Sequence, residues 1–306
     1  MRSAIVSLPA LAGLLLVARP ANTPTGETLL AAPDQWARLG DVTLRYRVIG
    51  QGQPIALLHG YTDSLEMWRG IADSLARSYR VIVPDLRGFG RSSKFGDSES
   101  YAPEMVDDVA HLLDHLEYRE AHVVGYSMGA MVASQLAVRH PDRLSSLTLV
   151  GGPLFPDSAA SARIFEPLAE GTANGGGVRG LMKWMFPTWS DSAIRQLDRD
   201  VLASHDLGSL VASVRAFPAL AIPSSTPVKG RFETLAIVGT TDPLLEFSRA
   251  FVRWWPDARL VEIPAVDHAT ILEYPGLVAA IRSVAAGGTR VSPGARRMER
   301  GSHPAR

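Results

Sequence analysis

The chain has 306 residues, 46% hydrophobic and 20% charged, enough to bury a sizeable core as one domain plus an insertion. Lys+Arg and Asp+Glu balance at 31 each, so charge gives no sign of a nucleic-acid or anionic-surface partner. The absence of cysteine excludes disulfides, thiolate metal sites, a cysteine nucleophile and a lipid-modified N-terminal cysteine, while leaving the compartment open.

Arg2 precedes an uncharged, mostly apolar run from Ala4 to Ala18, and Arg19-Pro20 follow. The run is shorter than the roughly 20 residues that cross a bilayer as a helix. It reads as the apolar core of an export signal, with an uncleaved anchor or a mis-chosen start codon as alternatives. No clean Ala-x-Ala cleavage site follows it. The expectation is a periplasmic or secreted protein with no stable membrane span once the signal is cleaved. Residues 20–34 read as a linker.

From there strands and helices alternate. Val42 to Ile49 is a strand leading into the turn Gly50-Gln51-Gly52. Ile55 to Leu58 is a continuous apolar run, as in a strand covered on both faces. Helical spacing spans Leu65 to Tyr79, and Val81-Ile82-Val83 is a further buried strand. A helix opens at Pro103, a favourable first position, and runs to about Leu116. Ala121 to Val124 is a strand, Ala130 to His140 a helix stopped by Pro141, and Leu144 to Val150 a strand. Such alternation predicts an α/β protein, a mostly parallel central sheet with helices on both faces. Ligands then sit at the carboxyl ends of the strands.

The alternation breaks from Gly151 to about Arg231. A glycine cluster at 171 and 175–177 precedes the aromatics Trp184, Phe186 and Trp189, and two stretches of helical spacing follow. This segment reads as a helical lid insertion over residues 153–231. Its aromatics either line a hydrophobic substrate pocket or form the insertion's own small core. The strands resume with Thr234 to Val238 and Leu260 to Ile263, and a helix over about Leu277 to Ala286 closes the pattern. Residues 287–306, rich in Gly, Pro, Ser and Arg, read as a solvated, disordered tail.

The chemistry starts at Gly125-Tyr126-Ser127-Met128-Gly129, placed between a strand and a helix. A serine on so tight a turn needs small neighbours, because strand and helix pass close together. Its hydroxyl needs a base, and a histidine base needs an acid to hold its tautomer. Among eight histidines, His268 stands on the loop after a late strand, and Asp242 on the loop after the strand before it. The order Ser127, Asp242, His268 suits this kind of elbow. Asp267, the rival acid, adjoins the histidine too closely in sequence to reach its Nδ1 easily. Backbone N–H groups of Met128 and Tyr61 are the expected oxyanion donors. His111 and His115 stand four apart on a helix, but with no third ligand they read as a solvated face, and no metal is assigned.

The chain resembles the α/β-hydrolase superfamily, in its lidded esterase, lipase and lactonase-like branch. The resemblance spans roughly residues 35–285. It rests on His59-Gly60, Asp85-Leu86-Arg87-Gly88-Phe89-Gly90-Arg91-Ser92, the serine elbow, Gly239-Thr240-Thr241-Asp242, and Asp267-His268 followed by Glu273-Tyr274-Pro275. It implies a hydrolase core over 35–152 and 232–286, structural roles for His59, Asp85 and Arg87, and no cofactor. Haloalkane dehalogenases and epoxide hydrolases carry Asp where this chain has Ser127. Proline iminopeptidases look like His-Gly-Gly-Pro-Gly with Trp beside the serine, where Tyr61 and Met128 stand here. Carbon–carbon hydrolases typically replace the Arg-Gly segment with Ser-Pro-Gly. The expectation is therefore a serine hydrolase acting on a small or medium hydrophobic ester. Lactonase, perhydrolase, carbon–carbon hydrolase and a non-catalytic ligand-binding protein of the same fold are the alternatives.

Overall fold

The computed structural model describes residues 27–152, 157–228, 232–255 and 258–287. The run expected as an export signal and residues 288–306 of the expected tail lie outside the described residues. Among those described, no helix is long and apolar enough to cross a membrane.

Eight strands form one sheet: β1 (Gln35–Leu39), β2 (Val42–Ile49), β3 (Gln53–Leu58), β4 (Tyr79–Pro84), β5 (Ala121–Tyr126), β6 (Leu144–Val150), β7 (Glu233–Gly239) and β8 (Ala258–Ile263). Their spatial order is β1-β2-β4-β3-β5-β6-β7-β8. Pairing is antiparallel for β1 with β2 and β2 with β4, and parallel from β4 through β8. The apolar runs of β3, β5, β6 and β7 belong to the middle strands, where both faces must be covered.

Successive side chains on a strand point to opposite faces, and the core divides accordingly. Val123 packs into a cluster with Val106 and Val109 of α2 (Glu104–His115) and with Val132 and Leu136 of α3 (Met128–Arg139). Its neighbour Val124 packs on the other face with Ile71 and Leu75 of α1 (Arg69–Leu75) and the helix Leu277–Gly287.

Three local differences from the sequence expectations have physical causes. The strand β1 was not anticipated. Only Ala37 of its five residues is buried, so it lacks an apolar run, and it is held by a hairpin through Gly40-Asp41 to β2. The helix expected over Leu65–Tyr79 is a 3₁₀ turn at Leu65–Trp68 followed by α1, and Tyr79 already belongs to β4. The end of the proposed linker packs on the domain: Leu29 is fully buried and its N–H donates to Asp73 at 2.6 Å.

Between β6 and β7 stand α4 (Ser158–Gly171), α5 (Arg179–Met185), α6 (Asp191–Ser204) and α7 (Leu207–Ala216), with no strand among the described residues. Asp157, Ser190 and Asp206 cap α4, α6 and α7 by accepting from N–H groups of their first turns. The two remaining helices are α8 (Leu245–Trp254) and α9 (Leu277–Gly287).

Candidate active site

Ser127 sits at the junction of β5 and α3 with φ 53° and ψ −116°. A non-glycine residue in that region is strained, and such strain persists only where the surroundings enforce it. Here the enforcement is close packing. A Cβ on Gly125 would overlap the Gly129 carbonyl, and one on Gly129 would overlap the Leu58 carbonyl. Only glycine lets α3 start this near the end of β3. The Ser127 N–H is fixed by the Val150 carbonyl at 3.0 Å.

Asp242 lies on the loop after β7 and His268 on the loop after β8, and the parallel pairing of these strands brings both loops to one edge. His268 Nδ1 is 2.8 Å from Asp242 Oδ2, and His268 Nε2 is 3.0 Å from Ser127 Oγ. The other Asp242 oxygen accepts from the Leu244 N–H at 2.8 Å. Asp242 and His268 are 4% and 3% exposed, so the contact between them is shielded from water. Asp267 is engaged elsewhere, accepting from the Thr270 N–H and hydroxyl and from the Ala269 N–H. The structure thus brings Ser127, His268 and Asp242 together and leaves Asp267 out.

Met128 is the first residue of α3, where a helix leaves N–H groups without internal partners. Tyr61 stands on the loop after β3, followed by Thr62 at φ 64°, a second strained position. Neither the Met128 nor the Tyr61 N–H has a hydrogen-bond partner among the described residues, and both residues line the cavity that holds Ser127. The Tyr61 ring is anchored by its hydroxyl, which donates to the Leu210 carbonyl at 3.1 Å.

The remaining motif residues support these loops. His59 is fully buried, placing Nδ1 2.8 Å from the Gly60 carbonyl and accepting at Nε2 from the Leu86 N–H at 2.9 Å. Burial holds it below the ordinary histidine pKa, in keeping with a neutral ring. Asp85 accepts from the N–H groups of Leu65 and Arg91 and from Arg45. Arg87 makes a two-pronged pair with Asp108 at 2.7 and 2.9 Å. His111 and His115 are exposed on α2.

A cavity of about 260 Å³ opens beside the Ser127 hydroxyl. Trp184, Phe186 and Trp189 line it, together with Phe165, Phe217 and Leu181. Phe186 stacks on Trp189 at 4.6 Å and approaches the His268 ring at 6.1 Å. The aromatics of the insertion thus line the cavity and also pack in one cluster with the core.

Two residues beside the site were missed in the sequence. The Tyr126 hydroxyl donates to the His268 carbonyl at 2.8 Å, and the two rings lie 5.1 Å apart. Its position within the elbow was visible, but its partner lies 142 residues away. Asp63, two residues beyond Tyr61, lines the cavity, and burial pushes its carboxyl up to about 7. Its sequence context, Tyr61-Thr62-Asp63-Ser64, suggests only a polar turn.

Comparison with known proteins agrees with this architecture. The family described as the alpha/beta hydrolase fold matches residues 53–174. RutD, a proposed carbamate hydrolase of Azorhizobium caulinodans, is 30% identical over 245 residues, covering 76% of this chain and 91% of that protein. The pimeloyl-[acyl-carrier protein] methyl ester esterase of Aeromonas hydrophila is 43% identical over 107 residues, 35% of this chain and 41% of the esterase. Several curated relatives are likewise matched over only about two fifths of their length. A thermophilic esterase from Thermogutta terrifontis superimposes with a TM-score of 0.66 at 28% identity, covering 84% of this chain and 99% of the esterase. The chain belongs to the α/β-hydrolase family.

Proposed function

We propose that this chain is a serine hydrolase that cleaves the carboxylic ester of a small or medium hydrophobic substrate through an acyl-enzyme. The observation that carries the reading is the hydrogen-bonded series Ser127–His268–Asp242 opening into an apolar cavity. Similarity to a methyl ester esterase and to a thermophilic esterase supports an ester over other acyl groups.

In this mechanism the Ser127 oxygen attacks the ester carbonyl as His268 Nε2 takes its proton. Asp242 holds the ring with Nδ1–H directed at its carboxylate and stabilises the imidazolium that forms. The carbonyl oxygen becomes an anion against the Met128 and Tyr61 N–H groups. Each such donor contributes on the order of 10²- to 10³-fold in rate. His268 then returns the proton to the departing alcohol. Water deprotonated by the same nitrogen cleaves the acyl-enzyme, releasing the acid and restoring Ser127.

The cavity wall bears on substrate choice. Trp184, Phe186 and Trp189 offer flat apolar surface, and Met67, Met128, Met131, Met182 and Met185 offer flexible thioethers that adjust to acyl chains of differing shape. In this reading the helices α4–α7 form a lid, and the protein acts outside the cytoplasm after export. Covalent labelling with a fluorophosphonate probe tests the proposal. Labelling that requires Ser127 supports it, whereas an unlabelled, folded protein would point to a ligand-binding member of the family.

A further inference from the structure

Among the described residues that line the cavity, Asp63 is the one carboxylate, and the ester-hydrolase reading gives it no role. Asp242 is committed to His268 and Leu244, and Asp267 to Thr270 and Ala269. Asp63 lines the same cavity as Ser127, Tyr126 and His268, yet its carboxylate makes no hydrogen bond or ion pair with any described residue. It is wedged against the turn at Gly60, where an added Cβ would come within 3.4 Å of Oδ2 and 2.9 Å of the Tyr126 ring.

Among the described residues, no Lys or Arg lines the cavity. His268, the one imidazole among the described lining residues, is already held between Ser127 and Asp242. Asp63 is half-buried at the cavity wall, and a carboxylate held against apolar walls without a cationic partner is unfavourable. Burial accordingly shifts Asp63 up to about 7, so at mildly alkaline pH it is largely ionised and still uncompensated. Aromatic side chains, among them Tyr61, Tyr126, Phe165 and Trp184, share the walls with methionine and leucine. Aromatic rings attract cations through their negative faces. A neutral hydroxyl group on a ligand would offer Asp63 a hydrogen bond but would leave its charge unbalanced. A cationic nitrogen would balance the charge and use the aromatic faces as well.

Resting on the ester-hydrolase reading, we infer that Asp63 recognises a positively charged nitrogen, making esters that carry an amine or quaternary ammonium group the preferred substrates. Asp63 is a specificity-determining residue in this scheme and takes no part in proton transfer. The nitrogen can belong to either half of the ester, and the test distinguishes the two.

The test compares charged esters with their neutral carbon isosteres at about pH 8, where Asp63 is mostly ionised. On the acyl side, methyl esters of β-alanine and ε-aminocaproic acid are set against methyl butanoate and methyl heptanoate. On the alcohol side, choline butanoate is set against its carbon isostere. The expected result is a charged-over-neutral preference in kcat/KM of tenfold or more in one of the two series, and the series that shows it tells which half carries the nitrogen. Asp63→Asn, which keeps the shape and removes the charge, is expected to reduce that ratio at least tenfold. If Asp63→Asn does not fold, competitive inhibition of the unaltered protein by butylammonium, with butanol of the same size inactive, serves instead. Neutral esters hydrolysed with no preference for charge in either series would overturn the role of Asp63 and leave the ester-hydrolase reading intact. Failure to hydrolyse any ester, charged or neutral, would overturn both.

Discussion

The Tyr126 hydroxyl donates to the backbone carbonyl of His268 across 142 positions of sequence, at 2.8 Å. Through that bond, the residue just before the nucleophile holds the loop that carries the base. Both partners are buried, so removing the donor leaves a carbonyl unsatisfied. Tyr126→Phe is expected to lower kcat about tenfold with little change in KM, since a loosened base affects proton transfer more than ester binding. Steady-state kinetics on a p-nitrophenyl ester check this. An unchanged kcat would show that the loop holds its position without Tyr126.

The separation of the two acids near His268 gives a paired expectation. Asp242 contacts Nδ1, whereas Asp267 closes its own turn. Asp242→Asn is expected to lower kcat on the order of 10⁴-fold, as loss of the orienting carboxylate does in other serine hydrolases. Asp267→Asn is expected to change it by less than about tenfold and to act mainly on stability. Parallel kinetics on the two variants decide between the carboxylates.

Glycine positions near the site differ sharply in what they tolerate. A Cβ on Gly239, at the end of β7, would overlap the Val266 carbonyl and push apart the loops that carry Asp242 and His268. Gly70 in α1 has nothing within 4 Å of such a Cβ. Gly239→Ala is expected to lower the melting temperature and the activity together. Gly70→Ala is expected to stabilise by about 0.5–1 kcal/mol through helix propensity alone. Thermal melts of both variants provide the check.

His122, on β5, is buried with Nδ1 2.8 Å from the Ser146 hydroxyl. Burial lowers its pKa to about 4, against roughly 6.5 in an unfolded chain. Between those values the unfolded chain binds the extra proton. The stability contribution is thus complete above about pH 6.5 and is lost as pH falls toward 4. Over that window the loss reaches on the order of 2–3 kcal/mol. His122→Asn is expected to lose less stability than the unaltered protein between pH 7 and pH 4.5 (on the order of 2 kcal/mol less) in urea titrations. Equal losses would show that other groups govern the acid response.

Much of this arrangement is legible from local pattern. The runs Ile55–Leu58 and Leu144–Val150 are apolar because both faces of those strands are covered, and that composition survives in a linear string. Ser127, Asp242 and His268 are legible for a related reason: each stands on the connection that follows a strand, and parallel strands deliver such connections to one edge. Burial and pairing that depend on distant partners are not legible. Gln35–Leu39 looks polar because it is an edge strand, and Leu29 looks like linker because its partner is Asp73 on α1. Tyr126 and Asp63 escaped notice for the same reason, one defined by a carbonyl 142 residues away and the other by a cavity wall built from the insertion. Trp184, Phe186 and Trp189 fitted a pocket or a separate core equally well, because an aromatic pattern does not say which surface it faces.

The central claim is that the Ser127 oxygen forms and loses an acyl bond, and replacing that one oxygen is the most direct measurement. With p-nitrophenyl esters, Ser127→Ala should lower kcat by roughly 10⁶-fold while the variant keeps the melting temperature of the unaltered protein. A variant that kept activity within tenfold would contradict the account.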